Sequence, residues 1–235
     1  MSPYTLDLAE TIESASARLA DWAEQRLRKA VAARGRAFLA VPGGTTPGPF
    51  LDILARRSLP WGRILLAPTD ERSVPVDHSR SNEGMIRRRF TPPLGPEGCS
   101  FLSLALELAS PEAQALEAAE RLAEAGPLDV CILGMGEDMH VASLFPGDRH
   151  WTSGLDAATQ AWAGPLVIPA RPAGQEPRVS LSPSVLRGAG ACALLIAGQS
   201  KRDALAAAVD ASDPARAPVA LLFGSSPQLQ VFAAR

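Results

Sequence analysis

Directly after an apolar run (Leu128, Val130, Ile132, Leu133) the chain reads Gly134-Met135-Gly136-Glu137-Asp138-Met139-His140. Glycines let the backbone turn tightly and come close to a ligand. His is the side chain whose unperturbed pKa lies nearest neutrality, so it serves naturally as a general base. A carboxylate two residues before it is near enough to orient the imidazole. Buried strands of open α/β sheets present their chemistry just beyond their carboxyl ends. A polar surface loop would carry the same residues, so the other strand ends have to decide between the two.

Three more such ends, and the start of one further strand, carry suitable groups. The stretch 36–41 (RAFLAV) runs into Gly43-Gly44-Thr45-Thr46-Pro47 and then a helix. Exposed amides, threonine hydroxyls and a helix N-terminus together suit a phosphate. The spacing is neither a P-loop nor a GxGxxG fingerprint, and a proline-rich turn reads the same way. The stretch 63–68 (RILLAP) ends at Asp70-Glu71-Arg72. Arg178 opens an alternating run, RVSLS, and Gly198-Gln199-Ser200-Lys201 follows ACALLIA. Arg178 and Lys201 are candidate anion contacts. Taken singly, Asp70 also fits a turn and Lys201 an ordinary surface position. His78 and His150 receive no role.

The elements that would position these residues alternate. Helical spacing predicts helices over 7–33, 49–57, 111–125 and 202–209, with a short one after Ser81-Asn82. Apolar runs predict strands at 36–41, 63–68, 101–104, 128–133, 165–169, 178–182 and 191–197. The run 229–233 reads as an edge strand, 91–98 and 170–177 as surface connections, the latter mobile, and His150-Trp151 as loop. Strands recurring between helices predict one α/β domain over 1–235, with a doubly wound, mostly parallel sheet flanked by helices.

Composition narrows the classes. With 46% hydrophobic and 20% charged residues the chain can bury a sizeable core. A net charge of −2 gives no overall pull towards nucleic acid or an anionic membrane. Cys99, Cys131 and Cys192 are far apart and odd in number, which predicts free thiols in a reducing compartment. The acidic, amphipathic start lacks a signal-peptide core, and no run approaches a bilayer span, so a cytoplasmic location is expected. No metal-ligand spacing is present, so neither metal nor cofactor is expected.

Taken in order, these motifs resemble the 6-phosphogluconolactonase family along nearly the whole chain. That family's Gly-Gly-Ser/Thr-Thr-Pro loop matches 43–47. Its Asp-Glu-Arg, Val-Pro and Ser-Asn motifs match Asp70-Glu71-Arg72, Val74-Pro75 and Ser81-Asn82. Its Leu-Gly-x-Gly-x-Asp-Gly-His-x-Ala-Ser-Leu-Phe-Pro pattern matches 133–146, except that Met139 replaces the glycine. A non-Gly residue disfavours positive φ, so either this turn does not need that conformation or the loop is shifted.

The resemblance implies a modified Rossmann-like fold shared with glucosamine-6-phosphate deaminases and ribose-5-phosphate isomerases. It implies hydrolysis of 6-phospho-D-glucono-1,5-lactone to 6-phosphogluconate, in the oxidative pentose phosphate pathway, by a monomer or weak homodimer. Gly43, Gly44, Thr45, Thr46, Arg178 and Lys201 would hold the phosphate and Asp70 the sugar. His140 would be the base, with Asp138 orienting it or contacting sugar, and Arg72 would stabilise the carbonyl oxygen or bind substrate. A deaminase is the nearest alternative, but its motif has Glu where Phe145 stands here. An inactive sugar-phosphate sensor is the other. Such sensors carry a helix-turn-helix, for which the start of this chain is expected to leave no room.

Overall fold

A computed structural model of the chain describes residues 2–94, 98–104, 106, 110–156, 159–224 and 227–235. Seven parallel strands form its main sheet. In chain order they are β1 (Tyr4–Ala9), β2 (Ala37–Val41), β3 (Ile64–Pro68), β5 (Ser100–Phe101), β6 (Val130–Leu133), β9 (Cys192–Ala197) and β10 (Leu229–Ala234). Across the sheet the order is β1-β10-β9-β6-β2-β3-β5. A second, antiparallel sheet has the order β4-β8-β7, from Asp70–Arg72, Arg178–Leu181 and Val167–Ala170.

The main sheet is apolar on both faces, as a parallel sheet covered by helices must be. Alternate residues feed two core layers. Leu39 and Val41, with Val130 and Ile132, join the layer of Leu19, Leu27, Phe50 and Phe90. Phe38 and Ala40, with Cys131 and Leu133, join the layer of Leu122, Trp151, Leu181 and Leu205. The first layer is closed by α1 (Ile12–Arg34), α2 (Gly48–Ala55) and α3 (Asn82–Leu94). The second draws on α4 (Pro111–Ala125), α5 (Arg149–Thr152), α6 (Pro183–Arg187) and α7 (Gln199–Ala211). Caps set the long helices. Thr11 Oγ1 accepts from Ser14 N, Gly35 turns left-handed at φ 76°, and Ser110 Oγ accepts from Ala113 N.

Several expectations change. The first helix starts at Ile12, because residues 4–9 are a strand. Leu8, taken as a helical position, stands on that strand 40% exposed, and Leu6 beside it is 48% exposed. As a result 229–233 is not an edge: β10 lies between β1 and β9, and both Phe232 and Ala233 are buried. Residues 91–94 continue α3, while 95–97 lie outside the described residues. Trp151 belongs to α5, where Asp148 accepts from His150 N and caps the turn. Both ends of the 170–177 connection are pinned. Arg171 grips both oxygens of Glu112 at 2.7 and 2.9 Å, Arg80 meets Glu176 at 2.8 Å, and Pro177 O accepts from Ser73 N. All three cysteines are free, and no helix among the described residues is long and apolar enough to cross a membrane.

Strand order places the functional ends. From β2 the chain moves outward to β3 and β5, then returns to β6 on the other side of β2 and continues to β9. The carboxyl ends of β2 and β6 therefore flank the point where the order reverses, which is where open α/β sheets bind ligands.

Candidate active site

A pocket of about 270 Å³ lies at that point. Gly43, Gly44, Thr45 and Thr46 reach it from the end of β2, and Asp70 and Arg72 from β4. His140 enters from the loop after β6, Arg178 from β8 and Lys201 from the first turn of α7. Nine candidates spread over 159 residues of sequence thus share one cavity. Asp138 stands behind His140 rather than in the pocket wall.

The His140 loop is tightly closed. Gly136 N donates to His140 O, and Met139 N donates to Gly136 O, both at 3.0 Å. A Cβ on Gly136 would collide with His140 Nδ1 and Asp138 Oδ1, so only glycine fits there. Met139 has φ 68°. The turn therefore does need the left-handed conformation, and methionine adopts it. Its side chain packs on the second core layer, and its carbonyl accepts from Val219 N at 3.1 Å. Left-handed backbone costs an L-residue about 1–2 kcal/mol, and glycine's larger unfolded-state entropy offsets most of that gain. Met139→Gly is expected to change stability by less than about 1 kcal/mol. Met139→Ile keeps the volume but puts a β-branch at positive φ, and should cost about 1–3 kcal/mol. Urea titration of the two variants measures both.

Asp138 Oδ1 lies 2.6 Å from His140 Nδ1. An ionised carboxylate only accepts, so the proton belongs on Nδ1 and Nε2 is left as the acceptor. The His140 side chain is 29% exposed, as suits a group that must reach both water and substrate. Phe145 lies against it, ring centroids 4.7 Å apart.

The pocket also holds a cluster of guanidinium groups. Arg178 is 7% exposed, and its Nη1 lies 3.7 Å from Asp70 Oδ2. Its side chain also donates to Gln175 Oε1. Burial pulls the Arg178 pKa down, Asp70 partly offsets this, and Arg72 and Arg80 lower it further. Arg72 Nη1 donates to Arg80 O at 2.9 Å and Asn82 Oδ1 at 2.5 Å. The Nε groups of both Arg72 and Arg178 are buried without an acceptor. Buried donors are rarely left unpaired, so the site carries unmet capacity for an anion. Lys201 has no ion-pair partner among the described residues and adds a third cation.

Other residues turn out to hold this arrangement. Ser143 Oγ donates to Asp70 Oδ2 at 2.5 Å, which ties the His140 loop to β4. Asn82, expected as a helix-start residue and as part of the Ser-Asn motif, donates to Asp70 O at 2.7 Å while accepting from Arg72. A Cβ on Gly43 would strike the Asn82 side chain, so glycine there lets the 43–46 loop close on it. These links join residues 10, 12 and 73 positions apart, and no local spacing announces them. Glu71, 1% exposed, accepts from Asn82 N, Glu83 N, Arg72 N and Ser81 Oγ, and so clamps the start of α3.

Burial pushes the Glu71 carboxyl above the usual carboxylate range, and its four donors pull it only partly back. A raised folded pKa means that the folded state binds the proton more tightly. Protonation of Glu71 then favours folding: its contribution is fully present below the unfolded pKa and is lost as pH rises through the folded pKa. The stability of wild type relative to Glu71→Gln is expected to fall as pH climbs from about 4 towards 7. Urea midpoints across that range test the slope, and a rising difference would mean that the donors outweigh burial.

A parallel sheet with a cation-lined pocket and a carboxylate–histidine pair at its reversal point defines a class: α/β proteins built to hold an anionic small molecule beside a base. The family model described as "Glucosamine-6-phosphate isomerases/6-phosphogluconolactonase" matches residues 10–231. The chain belongs to that family. It is 37% identical to a 6-phosphogluconolactonase of Pseudomonas putida over 87% of this chain and 83% of the relative. Identity to a 6-phosphogluconolactonase of Rhizobium meliloti is 39%, over 91% of each. A solved 6-phosphogluconolactonase from Shewanella baltica superposes with a TM-score of 0.89 at 27% identity, covering 99% of this chain and 98% of that one.

Proposed function

We propose that the chain hydrolyses 6-phospho-D-glucono-1,5-lactone to 6-phosphogluconate. The observation that carries this reading is the His140–Asp138 pair beside a pocket with three cations and one carboxylate, Asp70. The curated relatives named above act in the same sense.

The phosphate dianion is held by the 43–46 amides and hydroxyls, Arg178 and Lys201. Asp70 anchors Arg178 and meets a sugar hydroxyl. His140 Nε2 takes a proton from water as the water oxygen bonds to the lactone carbonyl carbon. Arg72 stabilises the negative charge that develops on the carbonyl oxygen. The bond from that carbon to the ring oxygen then breaks, and the proton passes from His140 to the departing oxygen. Asp138 keeps the imidazole in the tautomer that leaves Nε2 open. No serine or cysteine lines the pocket among the described residues, which supports direct attack by water without an acyl-enzyme. The substrate is a small-molecule sugar-phosphate lactone, and the reaction takes place in the cytoplasm by a monomer or weak homodimer of one domain. No metal or cofactor enters this chemistry.

Because the family includes deaminating isomerases, the test pairs two assays on one preparation. Acid release from the lactone should greatly exceed spontaneous opening, while ammonia release from glucosamine 6-phosphate should stay at background. Ammonia release at a comparable rate would overturn the assignment.

A further inference from the structure

Phe145 is half-buried beside the pocket, and its aromatic ring lies close to two groups that arrive from different sheets. One is the His140 imidazole, 4.7 Å between centroids with the planes 37° apart. The other is the Arg178 guanidinium, whose carbon stands 5.4 Å from the Phe145 centroid. His140 belongs to the loop after β6 in the main sheet, and Arg178 to β8 in the second sheet. The backbone of Phe145 is itself fixed: its carbonyl accepts from the indole of the fully buried Trp151 at 2.8 Å and from Asp148 N at 3.3 Å.

We infer that Phe145 is a positioning residue, whose ring sets the orientation of the His140 imidazole and its spacing from the Arg178 guanidinium. The inference rests on the function proposed above. His140 would otherwise be restrained only along its Nδ1 edge, by the backbone of Gly136 and an Asp138 side chain that is 51% exposed. A hydrogen bond at one nitrogen leaves the ring free to swing about that contact. A flat ring packed against its face removes that freedom and aims Nε2. The guanidinium near the same aromatic ring is attracted by the ring quadrupole. One side chain thereby registers the base against the cation that holds the substrate, and small misplacements of a reacting group are costly in rate.

The test compares Phe145→Leu, which keeps apolar bulk but removes the flat face, with Phe145→Tyr, which keeps the face. Phe145→Leu is expected to lose about tenfold in kcat with KM changed less than threefold, and Phe145→Tyr to stay within about twofold of wild type. Equal losses in both, no loss in Phe145→Leu, or a loss confined to KM would overturn the inference. Thermal melts accompany the kinetics, and Phe145→Met replaces Phe145→Leu if that variant does not fold. A second readout does not need turnover. The chain has three histidines, so the His140 ring proton signal can be assigned by its absence from His140→Ala. Its ring-current shift should be present in wild type and Phe145→Tyr and lost in Phe145→Leu. If wild type proves inactive on the lactone, the function fails while this signal still decides the position of the ring. A shift unchanged in Phe145→Leu would contradict the contact itself.

Discussion

Replacing His140 by alanine is expected to lower kcat for lactone hydrolysis by about 10²–10⁴-fold, the usual contribution of a positioned general base. The expectation follows from geometry. Asp138 occupies Nδ1 at 2.6 Å, which leaves Nε2 as the imidazole's acceptor, and the ring lines the pocket. KM should change little, because the imidazole is asked to move a proton rather than to hold the phosphate. Asp138→Asn should give a smaller loss in kcat, since an amide oxygen can still accept from Nδ1–H but without the charge. Steady-state kinetics corrected for spontaneous opening measures both. A His140→Ala enzyme as fast as wild type would leave the enzyme standing and remove this base.

Arg178→Ala carries the second large expectation: KM raised about 10–100-fold, with kcat lowered less. Hydrogen bonds to charged groups contribute about 1.5–3 kcal/mol, and each 1.4 kcal/mol is a factor of ten. Arg178 is almost fully buried, its Nε has no acceptor, and the neighbouring Arg72 and Arg80 repel it. An incoming dianion relieves that repulsion and pairs the orphaned donor. The variant also leaves Asp70 buried without its cation, although Ser143 still donates to the carboxylate. Melting temperature is therefore recorded with the kinetics, and Arg178→Lys serves as the control that keeps the charge while losing the fork. Lys201→Ala should move KM in the same direction by about tenfold, since it removes one charged donor. An unchanged KM in both alanine variants would take these residues out of the site.

Much of this arrangement is visible in the sequence wherever a buried strand meets a turn. The ends after β2, β6 and β9 each join a short apolar run to glycine and then a polar group, and all three reach the pocket. What stays hidden depends on long-range pairing. The strand β1 escapes detection because it lies on the sheet edge with Leu6 and Leu8 outward, so Leu8 reads as the start of the helix that follows. Once β1 is missed, β10 looks like an edge. Ser143 and Asn82 act through side chains that folding brings to Asp70, and residue type alone does not mark such partners. Met139 shows the opposite limit. Its departure from the family pattern is plain in the sequence, but whether the turn keeps its left-handed residue depends on the contacts around it. The hydrogen bonds of Gly136, His140 and Val219 hold that conformation in place.

The central claim is that this pocket opens a sugar-phosphate lactone with water activated by His140. Its most direct test follows freshly prepared 6-phospho-D-glucono-1,5-lactone near neutral pH, with and without the protein, by acid release. The account predicts a saturable rate well above spontaneous opening, which falls towards that background in His140→Ala. A wild-type rate indistinguishable from the background would contradict it.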